Sequence, residues 1–533
     1  MNQTMKQHSF TSQLKSLALV FGVALTFTSC ANEDVAQNPT NPNEDNDKNL
    51  TTFVAGDEAK TRTSLNYNSS DFYWEAGDYI YVKDDDNVLQ KSSNAPTSKV
   101  ASFKYKVPGK FTGDSYKVYY LGKNSGGNTV TISTAQTQTK PDNTEHFGTA
   151  GDYGTATATK VTGKQQFKFE LEHQPAYLVF QPYTSNTILQ NCYLTGVEIT
   201  SDNDIAGTYT VNTSTGAITS SAGSKQIFLT TRGIGSYYYG FPLSNNSASV
   251  TTNGAYMVIK PGTHTLRVRY WVKDVETDVW GTITKTLPAT TYASNTYYDM
   301  TANLDVKNYD GDHYYMWDAQ EQYWKGYEWT KHLSGNTGQP TLNGSSSSNY
   351  AQSNSDVSRW YNEYYPGYGV SNPATHSSCK DLPNANEMSW YCMYGDPRWD
   401  GDELWTTMGH LYKGGMWFKK KAVLQAENHY NTEKSADNTT DLRTTYKYYN
   451  NSNSSISNSG LPSAADANKY FYLPVLGNYY SGQLTSVGDI GYYWSSSAYP
   501  WGRNYAYNLY FYNGHVYADI NYRGRGFRAE ALQ

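Results

Sequence analysis

Residues 504–524 read NYAYNLYFYNGHVYADINYRG. Asn513-Gly514 sits between two alternating runs, the strongest short-range hairpin signal, and both residues are suited to positive φ. With that pair as the loop, Tyr512 opposes His515, Phe511 opposes Val516, Tyr510 opposes Tyr517 and Leu509 opposes Ala518. Directly opposed residues share a face. One face therefore carries Tyr507, Leu509, Phe511, Val516, Ala518 and Ile520, which is apolar apart from one phenol and suits a core. The other carries Asn508, Tyr510, Tyr512, His515, Tyr517, Asp519 and Asn521. This second face has the composition of a recognition surface: tyrosine supplies amphipathic contact area at low entropic cost, and Asn, Asp and His supply adaptable hydrogen bonds. The alternative, a strand pair buried under another layer, would need partners for Asp519 and Asn521, so exposure is the expectation.

Working outward, the chain of 533 residues is 38% hydrophobic and 17% charged, enough for two or three domains with their own cores. Its 51 tyrosines make up about one residue in ten, and nine fall within the 43 residues from Gly491 to Gln533. A net charge of -6 gives no electrostatic footprint for nucleic acid. The basic run Lys419 to Lys421 reads as a solvated turn.

At the N-terminus, Lys6 and Lys15 precede an apolar run of eleven residues, Leu17 to Phe27. That is too short to span a bilayer as a helix but fits a signal-peptide core. The run ends in FTSC, which resembles the lipobox of bacterial lipoproteins, although Phe27 replaces the usual leucine. The resemblance implies a signal peptide over 1–29 and lipid attachment at Cys30. Residues 30–50 are rich in Asn, Asp and Pro and read as a flexible tether. Export permits disulfides. Cys379 and Cys392 are the pair close in sequence, so either they form a bridge or both stay free.

From residue 51 to 306 the chain alternates short β-like runs with Gly, Asn, Asp and Ser, the pattern of a β-sandwich. DFYWEAGDYIYV, QFKFELEH, AYLVFQPY, LTGVEIT, IAGTYTVN and AYMVIKPGTHTLRVRYWV are the clearest strands, the last broken by Pro261-Gly262. TRTSLNYNSSDFYWEAGDYIYV, FELEHQPAYLVF, IAGTYTVN and AYMVIKPG, in that order, resemble the fimbrillin family of Bacteroidetes. The resemblance implies an exported lipoprotein that assembles with other fimbrillin subunits into pili, a neighbour's strand replacing one removed by proteolysis. It makes the bond after Arg62 a candidate cleavage point; otherwise Arg62 is an ordinary surface residue.

Beyond about Lys307 tryptophan and tyrosine become dense. Over 307–533 the blocks CKDLPNANEMSWY, GDPRWDGDELWTTMGHLYKGGMWFKKK, YFYLPVLGNYYSG, GYYWSSSAYPW and GFRAEAL resemble the C-type-lectin-like fold of formylglycine-generating enzymes and many bacterial surface proteins. The fold class expected is thus mainly β, a fimbrillin-like sandwich region followed by an α+β lectin-like domain. The likeliest helix lies in NANEMSWYCM, with Asn384 or Asn386 as its cap. Trp494 reads as core, Ser495 to Ser497 as a turn, and Arg528 as a structural residue paired with a carboxylate.

Catalytic chemistry finds little support. The reactive cysteines of the enzymes are missing late in the chain, as are the calcium-holding triplets of sugar-binding C-type lectins, HExxH, GxSxG and a P-loop. No cofactor is expected unless calcium binds the loop acids Asp396, Asp400 and Asp402 with Glu403, or Asp310 and Asp312. Closely spaced loop acids are more often simply solvated, and KDDDN at 83–87 is a weaker candidate still.

The order of parts suggests a pilus-tip adhesin at the outer membrane surface, anchored by lipid and binding an external protein or glycan. A structural pilus or surface component is the alternative, with an enzyme third. Lectin-like domains of this kind are displayed by diversity-generating retroelements, which rewrite adenines in a C-terminal repeat. Asn codons then convert to Tyr, His, Asp, Ser or Arg, while Trp and Phe codons are spared. The resemblance implies that Tyr510, Tyr512, His515, Tyr517, Asp519, Asn521, Tyr522, Arg523 and Arg525 are variable, ligand-contacting positions, with Asn508 a further ligand contact.

Overall fold

The break at Pro261-Gly262 decides how the middle of the chain folds. Ala255–Ile259 and Gly262–Lys273 are separate strands that serve different sheets. The first closes a four-stranded sheet in the order Thr4–Ser9, Thr296–Asn303, Ala176–Tyr183, Ala255–Ile259. The second joins Ala135–Thr137, Gln226–Thr230, Tyr193–Ser201 and Trp280–Tyr292. Leu178, Phe180, Met257 and Met300 from the first sheet meet Val197, Ile199, Val268 and Tyr270 from the second in one core, which makes a β-sandwich. This computed structural model describes residues 4–9, 49–56, 64–67, 71–212, 218–309, 313–326 and 349–533. Cys30, Arg62, Asp310 and Asp312 lie outside them.

The stretch 51–306 holds a further core. Phe53, Trp74, Tyr105, Val118, Phe167 and Phe169 pack inside another sheet. There Leu50–Ala55 runs parallel to Gln166–Phe169 and antiparallel to Phe103–Pro108. Phe53 is fully buried, stacked on Phe167 at 5.0 Å. The expected sandwich region is therefore two packed units. Leu50, placed in the tether by sequence, begins a strand. Thr4–Ser9, inside the expected leader, forms an edge strand on Thr296–Thr301. Its backbone supplies ladder bonds along an edge that would otherwise be open.

Leu304 belongs to the sandwich core and Tyr309 to the next one, yet the sheet does not stop between them. Trp280–Tyr292 pairs in parallel with Arg398–Thr407 through Thr282 and Glu403, and the sheet continues into His410–Lys419 and Tyr470–Pro474. Asn308 bridges Thr406 beside it. The two regions share backbone hydrogen bonding and are not beads on a linker.

The C-terminal region is α+β. Helix Ala385–Tyr394 lies against a sheet ordered Tyr314–Tyr315, Phe527–Arg528, Gly491–Ala498, Tyr505–Tyr512, His515–Tyr522, Tyr449–Ser452. Of the two candidate caps, Asn384 serves: its side chain accepts Glu387 N–H while the Glu387 carboxylate accepts Asn384 N–H, a reciprocal capping box. Asn386 is buried instead and donates to Asp441 Oδ1 at 2.9 Å. Trp494 is core. Ser495 to Ser497 lie in a bulged strand rather than a turn, where Ser497 Oγ accepts the N–H of Ala385 at 3.0 Å. Arg528 is 1% exposed and pairs with Glu530 at 2.8 Å, as read from the sequence.

The Cys379–Cys392 bridge is not formed; both thiols are free and buried. They belong to separate clusters, one around Trp317 and Trp494, the other around Tyr391 and Phe511. Cys379 Sγ accepts the N–H of Asp318 and Cys392 Sγ donates to Val516 O, each at 3.3 Å.

Candidate functional site

Strands Tyr505–Tyr512 and His515–Tyr522 pair in the register read from the sequence, from Tyr512 opposite His515 to Tyr505 opposite Tyr522. Gly514 takes φ 83° while Asn513 keeps out of the positive region, so one of the two loop residues uses the freedom both have. A Cβ at position 514 would stand 3.1 Å from Ser457 Oγ, a second reason for glycine.

The inner face fastens the hairpin. Tyr507, Leu509, Phe511, Val516 and Ala518 are all fully buried, and Ile520 is half-buried at the margin. Phe511 packs between Phe418 and Tyr493, with ring centroids 5.5 and 5.8 Å away. The one phenol on this side, Tyr507, donates to Lys447 O at 3.1 Å, which removes the cost of burying it.

The outer face is half-exposed at Tyr510, Tyr512, His515, Tyr517, Asp519 and Asn521. Its rings stack across the strands: Tyr510 on Tyr517 at 4.6 Å and 7°, Tyr512 on His515 at 4.6 Å and 28°. The Tyr512 and Tyr517 hydroxyls are 3.4 Å apart. That contact, followed by burial, pushes the Tyr512 phenol up to about 12. Burial also raises Tyr510 and Asp519, and the Asp519 carboxylate accepts the N–H of Ile520 at 2.7 Å. The stacked rings form a half-exposed aromatic surface whose hydroxyls, with His515, Asp519 and Asn521, supply donors and acceptors.

Three expected members are not on that surface: Asn508, Arg523, and Tyr522, which alternation puts on the inner face beyond Ile520. Asn508 is fully buried and donates to Asp519 O at 2.9 Å. Arg523 is fully buried over the Trp317 ring, with Nε donating to Tyr505 O at 2.9 Å, and burial lowers its pKa to about 10. For Asn508 and Arg523 the physical reason is a cover. Trp317, Ala374 and Cys379 pack with Trp494, Ala506 and Phe527 over this side of the sheet, and Asn508 lies opposite Trp494. At the far end of the hairpin, Tyr522 packs on Tyr361 and Arg525 lies over Tyr480, both half-exposed.

Other residues on this face escaped the sequence reading. Tyr449–Ser452 adds a strand that sets Asn450 opposite Tyr517 and Ser452 opposite His515. Ser452 Oγ lies 2.8 Å from His515 Nδ1, and Tyr446 donates to Asp519 at 3.4 Å. The period-two pattern Tyr446, Tyr448, Asn450, Ser452 was the available signal, hidden in a polar stretch that reads as loop.

The acids expected on a loop are committed elsewhere, and Asp400, Asp402 and Glu403 lie in strand Arg398–Thr407. Asp396 pairs with Arg398 at 3.0 Å, Asp402 with Lys413 at 3.2 Å and Asp400 with Arg269 at 2.8 Å. Glu403 accepts from Thr284 N–H and Oγ1, at 2.9 and 2.6 Å. Among the described residues no three His, Cys, Asp or Glu side chains gather to hold a metal ion. In KDDDN, Asp84 accepts the N–H groups of Asp86 and Val88 and so closes a turn.

No family model and no curated protein matches the chain. Among solved structures it is similar to a candidate cell adhesion protein of Bacteroides ovatus, with 14% identity, 48% of this chain, 93% of that one and a TM-score of 0.30. A second candidate cell adhesion protein, from Bacteroides uniformis, gives 15%, 48%, 94% and 0.28. The fimbrial anchor protein Mfa2 of Porphyromonas gingivalis gives 12%, 46%, 83% and 0.22. With scores and identities this low, these likenesses assign the chain neither a family nor a function.

Proposed function

We propose that this chain is a cell-surface adhesin at the tip of a pilus, and that it binds an external protein or glycan through the outer face of the C-terminal hairpin. The observation that carries the reading is the separation of the hairpin into two faces. Five fully buried residues fix the inner face, while Tyr510, Tyr512, His515, Tyr517, Asp519 and Asn521 stand half-exposed on the other. Side chains on such a face can be exchanged without disturbing the core, as a diversified recognition surface requires. In this reading the chain is a binding protein rather than an enzyme. It reaches the outer membrane with lipid on Cys30, which leaves with the N-terminal segment when the bond after Arg62 is cut, and it is then joined to other fimbrillin subunits by strand replacement.

The position of Leu50–Ala55 supports that mode of joining. Cleavage after Arg62 would separate this strand from the chain that follows, and its departure would open a slot between Gln166–Phe169 and Phe103–Pro108. A second subunit's strand would fill it.

The test is a ligand screen of the mature chain against host, bacterial and glycan targets, with immunogold labelling of pili. Capture of an external ligand and label at pilus ends are expected. Label along shafts, or binding to purified pilus subunits alone, would favour a structural component instead. Diversification is read from the locus: a near-copy of the segment with asparagines at the outer positions, beside a reverse transcriptase gene, is expected, and absence of both defeats that part.

A further inference from the structure

We infer that the groove at the tip of this hairpin is a calcium-independent binding site for uncharged hexose units of a glycan. This rests on the adhesin reading and names its ligand class. The groove has a volume of about 440 Å³ and is lined by Trp399, Gly488, Asp489, Ile490, Tyr512 and Asn513. That falls within the range of roughly 300–1,000 Å³ found for small-molecule sites. Three separate segments build it: strand Arg398–Thr407, the turn between Gln483–Val487 and Gly491–Ala498, and the hairpin tip.

The lining matches the two aspects of a sugar ring. A hexose has apolar C–H faces that lie flat on aromatic rings and an equator of hydroxyls that both donate and accept. Trp399, Tyr512 and Ile490 supply the apolar surface, and the exposed Asp489 carboxylate accepts from hydroxyls. Asn513 is oriented by Ser457, whose Oγ donates to Asn513 Oδ1 at 2.7 Å, which turns the amide NH2 into the available donor. Tyr512 is held by its stack on His515. Side chains fixed before binding lose little entropy on binding.

Charge narrows the class. The lining carries one carboxylate and no cation, so sialylated, sulfated or phosphorylated sugars would meet repulsion with no compensating partner. A basic peptide side chain could also approach Asp489, but one solvent-exposed carboxylate contributes little to an ion pair. The breadth of the groove exceeds what one such side chain fills.

The experiment probes the full mature chain with neutral and sialylated oligosaccharide arrays in EDTA, beside Asp489→Asn and Tyr512→Ser variants. Asp489 is exposed, so its substitution leaves folding intact. Binding of neutral oligosaccharides, weakened roughly two- to tenfold by Asp489→Asn as expected for loss of one solvent-exposed hydrogen bond, supports the site. Neutral-glycan binding unchanged in both variants, binding only with calcium, or preference for sialylated glycans overturns it and leaves the adhesin reading standing. Capture of a basic peptide or a protein alone does the same. Absence of any ligand, glycan or protein, overturns both.

Discussion

Arg269 on a sandwich strand and Asp400 on a strand of the C-terminal region meet at 2.8 Å, their side chains 9% and 2% exposed. Arg269 also reaches Thr282 Oγ1, and Trp417 Nε1 donates to the second Asp400 oxygen at 3.0 Å. Beside them the Glu403 carboxylate holds Thr284. This buried polar joint sits where the sheet passes from one region to the next. Removing one partner leaves an uncompensated buried charge, which costs about 3–5 kcal/mol. Arg269→Met or Asp400→Ala should each lower the unfolding free energy by that amount, read as a lower urea midpoint, and the apolar pair Arg269→Met with Asp400→Leu should recover much of it.

The same joint sets a pH dependence. Burial, and then the nearby Asp400 carboxylate, raise Glu403 to about 7 from an ordinary value of 4.5. A carboxyl raised on folding contributes stability that is fully present below its unfolded pKa and is lost as pH rises through the folded one. Stability measured by urea unfolding should therefore fall between about pH 4.5 and pH 7, the span set by those two pKa values. Glu403→Gln should flatten that slope. An unchanged slope in the variant would remove Glu403 as its source.

The two faces of the hairpin should respond differently to substitution. Phe511→Ala deletes a fully buried ring and should cost about 3–5 kcal/mol in calorimetry or denaturant unfolding. His515→Asn and Tyr517→Asn on the outer face should leave the unfolding midpoint far closer to that of the unaltered chain while changing ligand capture. Equal destabilisation from both faces would mean that the outer rings are structural.

At the helix start, Asn384→Ala removes the acceptor for Glu387 N–H and breaks the capping box. The expected loss is about 1 kcal/mol, read as a lowered thermal midpoint.

Cys192, Cys379 and Cys392 should titrate as free thiols only after unfolding. Burial pushes each of them up to about 12 in the folded chain, where the reactive thiolate is scarce. A reducing agent should leave the melting temperature unchanged; a shift would indicate a bridge.

Several elements were legible because their causes are local. Pro261-Gly262 separated two strands through its own backbone chemistry, and Asn384, one of the two caps read from the sequence, starts the helix. The thiol pairing was not legible. Thirteen positions separate Cys379 from Cys392, but the side chains pack into different clusters, and closeness in sequence says nothing of which cluster a chain enters.

The hairpin shows where the division falls. One turn and a period of two determined, from sequence alone, which side chains share a face, because alternation is a property of the strand itself. Exposure along that face was decided elsewhere. Asn508 and Tyr510 point to the same side, yet Asn508 is fully buried and Tyr510 is half-exposed. Trp317, Ala374 and Cys379, more than a hundred residues upstream, cover one part of the sheet and leave the rest open. The seam between the two regions has the same origin: Thr282 and Glu403, like Arg269 and Asp400, are joined by contacts with no signature in either neighbourhood. Which surface remains free for a ligand is set by such long-range packing, and only the folded chain contains it.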